Sequence, residues 1–253
     1  MSAKKKNKTV IAICIQEPQE DGSSMDFGEI EGDNLRFLHQ AFITDTIITS
    51  SMFQEVDIRL YFVDDVERKK LVKIVTDYIT KQTKDIEPTF MKERFDKIKL
   101  KKERLGVRIE KIFDDCFAQE YDKVLVLGSR TPTVTTEMIG SALQLLKNSD
   151  TVFGPTPEGR YYIIGMSGKQ HIQLSQFDWK SPTIYHDVVD CLKEKKLIWK
   201  ELDIWYSVDT VEELEMTIRD INQLRLQGDE ITAHETEIVL ERIFSKIENS
   251  ELD

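Results

Sequence analysis

Four segments of this 253-residue chain gather side chains that could do chemistry. The first is Gly128-Ser-Arg-Thr-Pro132, directly after the apolar run Lys123-Val-Leu-Val-Leu-Gly128. A guanidinium such as Arg130 can grip phosphate oxygens bidentately, and it can equally close a surface turn. The second is Pro155-Thr-Pro-Glu-Gly-Arg160, followed by Tyr161 and Tyr162. Glu158 and Arg160 flank a glycine at the tip of an expected hairpin, as a binding pair or as solvated turn charges. The third, Gln16 to Asp33, carries Glu17, Glu20, Asp21, Asp26, Glu29, Glu31 and Asp33, with no Lys or Arg. It reads as a solvated acidic loop, or as a site for a divalent cation or a basic partner. The fourth, Lys92 to Arg104, has seven basic residues and a net charge of +4. A run of this kind reads as a solvated helix or loop, or as a flap over an anionic ligand.

The elements that would position these segments alternate. Thr9–Ile15 is continuously apolar and β-branched, as a strand buried on both faces should be. Asp57–Val63, Lys123–Gly128, Thr151–Gly154 and Tyr161–Gly165 read as further strands. Helical periodicity begins near Asn34 and recurs over Val66–Tyr78, Arg104–Phe117 and Glu137–Leu146. A helix over Ser181–Lys195, a strand around Ile198–Trp205 and a helix after Thr210 follow. Thr210-Val-Glu-Glu213 has the spacing of a capping box. A last amphipathic stretch runs from His234 to Ile247. This order predicts an α/β fold with right-handed crossovers and a mostly parallel sheet, broken by a β-hairpin insertion near 151–166. In such sheets ligands bind at the carboxyl ends of the strands, where the first three segments fall.

Composition removes whole classes of function. The formal net charge is -11, against a general nucleic-acid binder. No apolar run approaches the roughly 20 residues of a membrane span. Cys14, Cys116 and Cys191 are scattered, and the four histidines lack metal spacing, which argues against a disulfide framework or zinc site and for a cytoplasmic protein. Gly-x-Ser-x-Gly, Walker and Gly-x-Gly-x-x-Gly motifs are absent. Residues 1–8 read as a disordered basic tail, and 9–248 as a single domain.

In order, Gly128-Ser-Arg-Thr-Pro132, Val152-Phe-Gly-Pro155, Glu158-Gly-Arg-Tyr-Tyr-Ile-Ile-Gly165, Trp179-Lys-Ser-Pro182 and Ser207-Val-Asp-Thr-Val-Glu-Glu-Leu214 resemble the motifs of the radical-SAM/selenodomain-associated transferases. Those are GT-A-like nucleotide-diphospho-sugar transferases. Leu105-Gly-x-Arg108 and Ala41-Phe-Ile-Thr-Asp-Thr46 extend the likeness over about residues 9–225. The resemblance implies a Rossmann-like, GT-A-type three-layer sandwich and a nucleotide sugar as ligand. It also implies catalytic roles for Arg130, Glu158 and Asp209, and substrate contacts from Gly128, Ser129, Arg160, Tyr162 and Arg108.

In such transferases an Asp after the central strand helps to hold Mg²⁺ or Mn²⁺ on the diphosphate. Here Arg130 stands at that position, so no metal ligand is assigned. The phosphate-binding lysines of the first loop are also missing from the acidic segment, and Glu158-Gly159-Arg160 replaces an Asp-Gly-Gly tip. A divergent glycosyl- or nucleotidyltransferase with impaired metal-dependent activity follows. The alternative is a catalytically inactive relative that acts as a binding or regulatory module, with the acidic loop facing a basic protein.

Overall fold

The computed structural model describes residues 8–15, 19–20, 23–62, 95–168 and 171–250. The basic residues before Lys8, the helix expected over 66–78 and the start of the basic run at 92–94 lie outside the described residues. Among those described, the strands are β1 (Thr9–Ile15), β2 (Gln19–Glu20), β3 (Ser23–Ser24), β4 (Asp57–Phe62), β5 (Phe95–Lys99), β6 (Lys123–Gly128), β7 (Thr151–Pro155), β8 (Tyr161–Ser167) and β9 (Trp199–Glu201). The helices are α1 (Gly32–Ser51), α2 (Leu105–Ala118), α3 (Thr136–Leu145), α4 (Ile184–Glu194), α5 (Val211–Leu226) and α6 (His234–Ser250).

The main sheet has the order β5-β4-β1-β6-β8-β7-β9. Only β8 runs against its neighbours, pairing antiparallel with both β6 and β7. The β7–β8 hairpin is therefore the break in an otherwise parallel sheet, as the sequence predicts. The chain moves outward from β1 through β4 to β5, then returns to β6 on the other side of β1. That reversal opens a crevice at the carboxyl ends of β1 and β6.

Strand β1 shows why the sheet needs two helical layers. Ile11, Ile13 and Ile15 pack with Ile43 and Ile47 of α1 and Ile139 of α3. Val10, Ala12 and Cys14 face the opposite way, against Ile112 and Phe113 of α2 and Val188 of α4. Burying each of these Ile, Val and Phe side chains stabilises the fold by about 1.5–3 kcal/mol. The other side of α1, with Leu38 and Phe42, packs on Leu214 of α5 and Ile243 of α6.

Part of the basic run departs from both the solvated helix or loop and the flap that the sequence suggests. Phe95–Lys99 is an edge strand, in parallel register with Ile58–Phe62 of β4. The lysines hid its strand character, yet lysine on an exposed edge is one way proteins discourage edge-to-edge association. The C-terminal strand is also shorter than expected, Trp199–Glu201. Beyond it the chain keeps only isolated bonds to β7, from the Leu202 amide to Phe153 O and from the Trp205 amide to Pro155 O.

A buried carboxylate fastens α6 to α1. Asp45 is fully buried and accepts hydrogen bonds from the Glu235 amide (2.9 Å), the Thr236 amide (2.9 Å) and the Thr236 hydroxyl (2.6 Å). It thus caps the start of α6 from within another helix. Burial pushes its carboxyl up to about 7, against the opposing pull of the Thr236 hydrogen bond. The folded value lies above the unfolded one, so the folded chain binds the extra proton between about pH 4 and 7. Stability should therefore fall as pH rises through that window, by up to about 1.4 kcal/mol per unit. Denaturant unfolding of wild type and Asp45→Asn from pH 4 to 8 checks this: the slope should flatten in the variant, and parallel profiles would contradict it.

Candidate functional site

The site is assembled by three chain segments that meet beyond the carboxyl end of β6. The first is the loop after Gly128, whose Ser129, Arg130, Thr131 and Thr133 are all buried. The second is the stretch before α5. The Val208 amide donates to Arg130 O (2.8 Å), and the Trp205 indole donates to the Thr133 hydroxyl (3.1 Å). The third is the start of the β8 hairpin, where the Thr156 amide bonds Arg160 O and the Gly159 amide bonds Thr156 O. Gly159 has φ of 79°, a left-handed conformation that a side chain would strain.

Asp209 is placed by the helix that follows it. Its amide donates to Glu213 Oε2 (2.7 Å), and the Thr210 amide donates to the same oxygen (2.9 Å). The Thr210 hydroxyl accepts from the Glu213 amide, completing the capping box expected from the sequence. The Asp26 amide donates to Asp209 O (2.8 Å), so the acidic loop is tied to the same point.

Arg130 and Asp209 form an ion pair, with Arg130 Nη1 2.5 Å from Asp209 Oδ1. The arginine side chain is 3% exposed and the aspartate 18%. Water screens such a pair weakly, and removing either partner would leave a charge with little solvation. Nearby, His39 of α1 is buried, and neither ring nitrogen has a hydrogen-bond partner. Burial first, and the charge of Arg130 second, lower its pKa to about 3, so its imidazole is neutral at physiological pH.

A pocket of about 90 Å³ lies at this junction. Gly128, Ser129, Arg130, Arg160, Tyr162 and Asp209 all line it, so the structure brings six of the eight sequence-predicted residues together. Arg108 and Glu158 are not in the lining. Arg108 is buried in α2, while Glu158 is exposed on the hairpin turn. Tyr162 contributes its ring, because its hydroxyl is donated to Asp203 O (3.0 Å).

Sequence reasoning missed the apolar side of the pocket, formed by Cys14, Leu105, Ile109, Val126 and Trp179. Trp179 fits only because position 106 is glycine. A Cβ there would meet the indole nitrogen at 2.2 Å. That coincidence of Gly106 and Trp179 is a signal no spacing rule contains.

The described part of the acidic loop is anchored by its apolar residues. Met25, Phe27 and Ile30 are buried with Leu38, Phe42 and Tyr206, whereas Asp26, Glu29, Glu31 and Asp33 are exposed. Their charge is screened by water and falls off within about 8–10 Å.

The donor set does not fit a divalent cation. The carboxylate of Asp209 is neutralised by Arg130, and a dication there would meet a buried guanidinium. No group of three or more His, Cys, Asp or Glu suited to a metal occurs among the described residues. Nor is any helix among them long and apolar enough to cross a membrane.

Residues 63–181 match a family model described as an uncharacterized protein conserved in bacteria (DUF2064). No curated protein matches the chain. Among solved structures, the chain is similar to a "putative nucleotide-diphospho-sugar transferase" from Desulfovibrio desulfuricans G20. The TM-score is 0.72 at 21% identity, over 96% of this chain and 98% of that one. It is also similar to a 4-diphosphocytidyl-2C-methyl-D-erythritol synthase, with a TM-score of 0.53 at 8% identity over 85% and 100% of the two chains. A 4-diphosphocytidyl-2C-methyl-D-erythritol synthase from Anaerococcus prevotii DSM 20548 gives 0.50 at 14% identity, over 87% and 97%. At these identities the likeness shows the fold alone: this chain shares the fold of these structures.

Proposed function

We propose that the chain is a divergent relative of the nucleotide-sugar transferases that binds a nucleotide sugar without a divalent cation. The observation that carries this reading is the Arg130–Asp209 pair. It sets a buried guanidinium, paired with an aspartate, beside the β1–β6 crevice, where a dication would otherwise be needed. In the family that the sequence resembles, this position belongs to a metal-binding aspartate. A guanidinium supplies one positive charge where Mg²⁺ or Mn²⁺ supplies two. The leaving group of a phosphoryl or glycosyl transfer is therefore stabilised less, and metal-dependent transfer is impaired. Arg130 is largely spent on Asp209, which leaves Arg160, half-buried across the pocket, as the better placed cation for phosphate oxygens.

A second reading is favoured by the acidic loop. Its exposed carboxylates are carried on an apolar anchor that is bonded to Asp209, an arrangement suited to presenting charge to a basic protein partner. In that case the chain is a binding or regulatory module.

Calorimetric titration with UDP-, GDP-, CDP- and ADP-sugars, with and without Mn²⁺, separates these readings. One nucleotide sugar should bind with the same affinity in both conditions. Binding that requires Mn²⁺ would overturn the metal-free reading, and failure of every nucleotide to bind would favour the module. The ion pair itself has a thermodynamic signature. Arg130→Ala should cost about 3 kcal/mol of stability, since it strands a mostly buried carboxylate. In a double-mutant cycle with Asp209→Ala, the coupling should be about 1–3 kcal/mol. Additive losses would mean that the pair does not hold the site.

A further inference from the structure

The pocket contains two arginines in opposite states. Arg130 is committed to Asp209. The guanidinium of Arg160 makes no hydrogen bond and no ion pair among the described residues; only its backbone is bonded, to Thr156. It stands half-buried at the rim. Leu105, Ile109, Val126 and Ile164 line the same pocket and give it an apolar floor with no polar side-chain atom.

The aromatic walls add no free polar group. The Tyr162 hydroxyl is donated to Asp203 O (3.0 Å), the Trp179 indole nitrogen to Leu174 O (2.9 Å), and the Tyr161 hydroxyl lies 3.5 Å from Tyr185 O. Each of these groups could otherwise have met a sugar hydroxyl. With their polar atoms turned to backbone carbonyls, Tyr161 and Trp179 offer ring surface. The hydroxyls of Thr131 and Ser207 remain beside the ion pair, too few to match the many hydroxyls of a sugar ring. The pocket is small, about 90 Å³, and open to solvent, so a short body can lie inside it while a charged headgroup stays at the rim.

We propose that this pocket is a site for a small amphiphilic anion: a phosphate or carboxylate carried on a short alkyl body. The headgroup pairs with Arg160, and the body lies on the apolar floor. Binding needs neither nucleotide nor metal, so the inference stands or falls apart from the nucleotide reading.

Titration of the full chain, without nucleotide or divalent cation, tests it with four ligands: isobutyl phosphate, isovalerate, inorganic phosphate and glucose 1-phosphate. Each methylene taken from water is worth about a four-fold gain in affinity. Isobutyl phosphate should therefore bind at least about ten-fold more tightly than inorganic phosphate, and glucose 1-phosphate no more tightly than inorganic phosphate. Isovalerate reports whether a carboxylate serves as well; it should bind measurably and compete with isobutyl phosphate. Arg160→Gln, on an accessible turn, should weaken both alkyl anions at least about ten-fold. Leu105→Trp fills the floor, and should abolish the preference for the alkyl body while inorganic phosphate binding persists. Equal affinity for isobutyl phosphate and inorganic phosphate would overturn the proposal. So would tight binding of glucose 1-phosphate, indifference to Arg160→Gln, or no binding by either alkyl anion.

Discussion

The site depends on a buried positive charge that has a partner. A guanidinium that is 3% exposed is tolerable only if something replaces its lost water, and Asp209 does so at 2.5 Å. Much of the surrounding architecture holds that partner still. The capping box of α5 fixes the Asp209 amide through Glu213, the Val208 amide is bonded to Arg130 O, and the Asp26 amide closes on Asp209 O. The imidazole of His39 is held neutral first by its own burial and then by the nearby charge of Arg130.

This pairing changes what a sheet of this kind can do at its switch point. A carboxylate pair would invite a divalent cation, whereas an arginine–aspartate pair is already neutral. The remaining uncommitted cation, Arg160, sits across the pocket on a hairpin turn made possible by Gly159. The same pocket is lined by the apolar Leu105, Ile109, Val126 and Ile164. The two arginines of the pocket thus have different surroundings: one is paired and buried, the other half-buried on a turn.

Much of the fold was legible because strong periodicities coincide with real layers. The run Thr9–Ile15 is apolar at every position, and both faces of β1 are covered by helices. Thr210 and Glu213 announced a cap, and the cap formed. The edge strand Phe95–Lys99 was obscured because an edge tolerates lysine, so its charges outweighed its pattern. At the site, Gly128, Ser129, Arg130, Arg160, Tyr162 and Asp209 converge as motif order suggested. The commitments of their atoms could not be read from order. Whether Arg130 meets a phosphate or Asp209, and whether Tyr162 offers a hydroxyl or a ring, depends on contacts between residues 79 and 41 positions apart. The acidic loop misled in the opposite sense. Its net charge was visible, but the burial of Met25, Phe27 and Ile30 that turns its described carboxylates toward solvent was not.

The central claim is that the guanidinium of Arg130 occupies the place a divalent cation would take beside Asp209. Electron paramagnetic resonance titration of Mn²⁺ into the wild-type chain and Arg130→Asp addresses it directly. The wild type should show no Mn²⁺ site that depends on Asp209, and the variant should gain one that Asp209→Asn removes. An Asp209-dependent Mn²⁺ site in the wild-type chain would contradict the account.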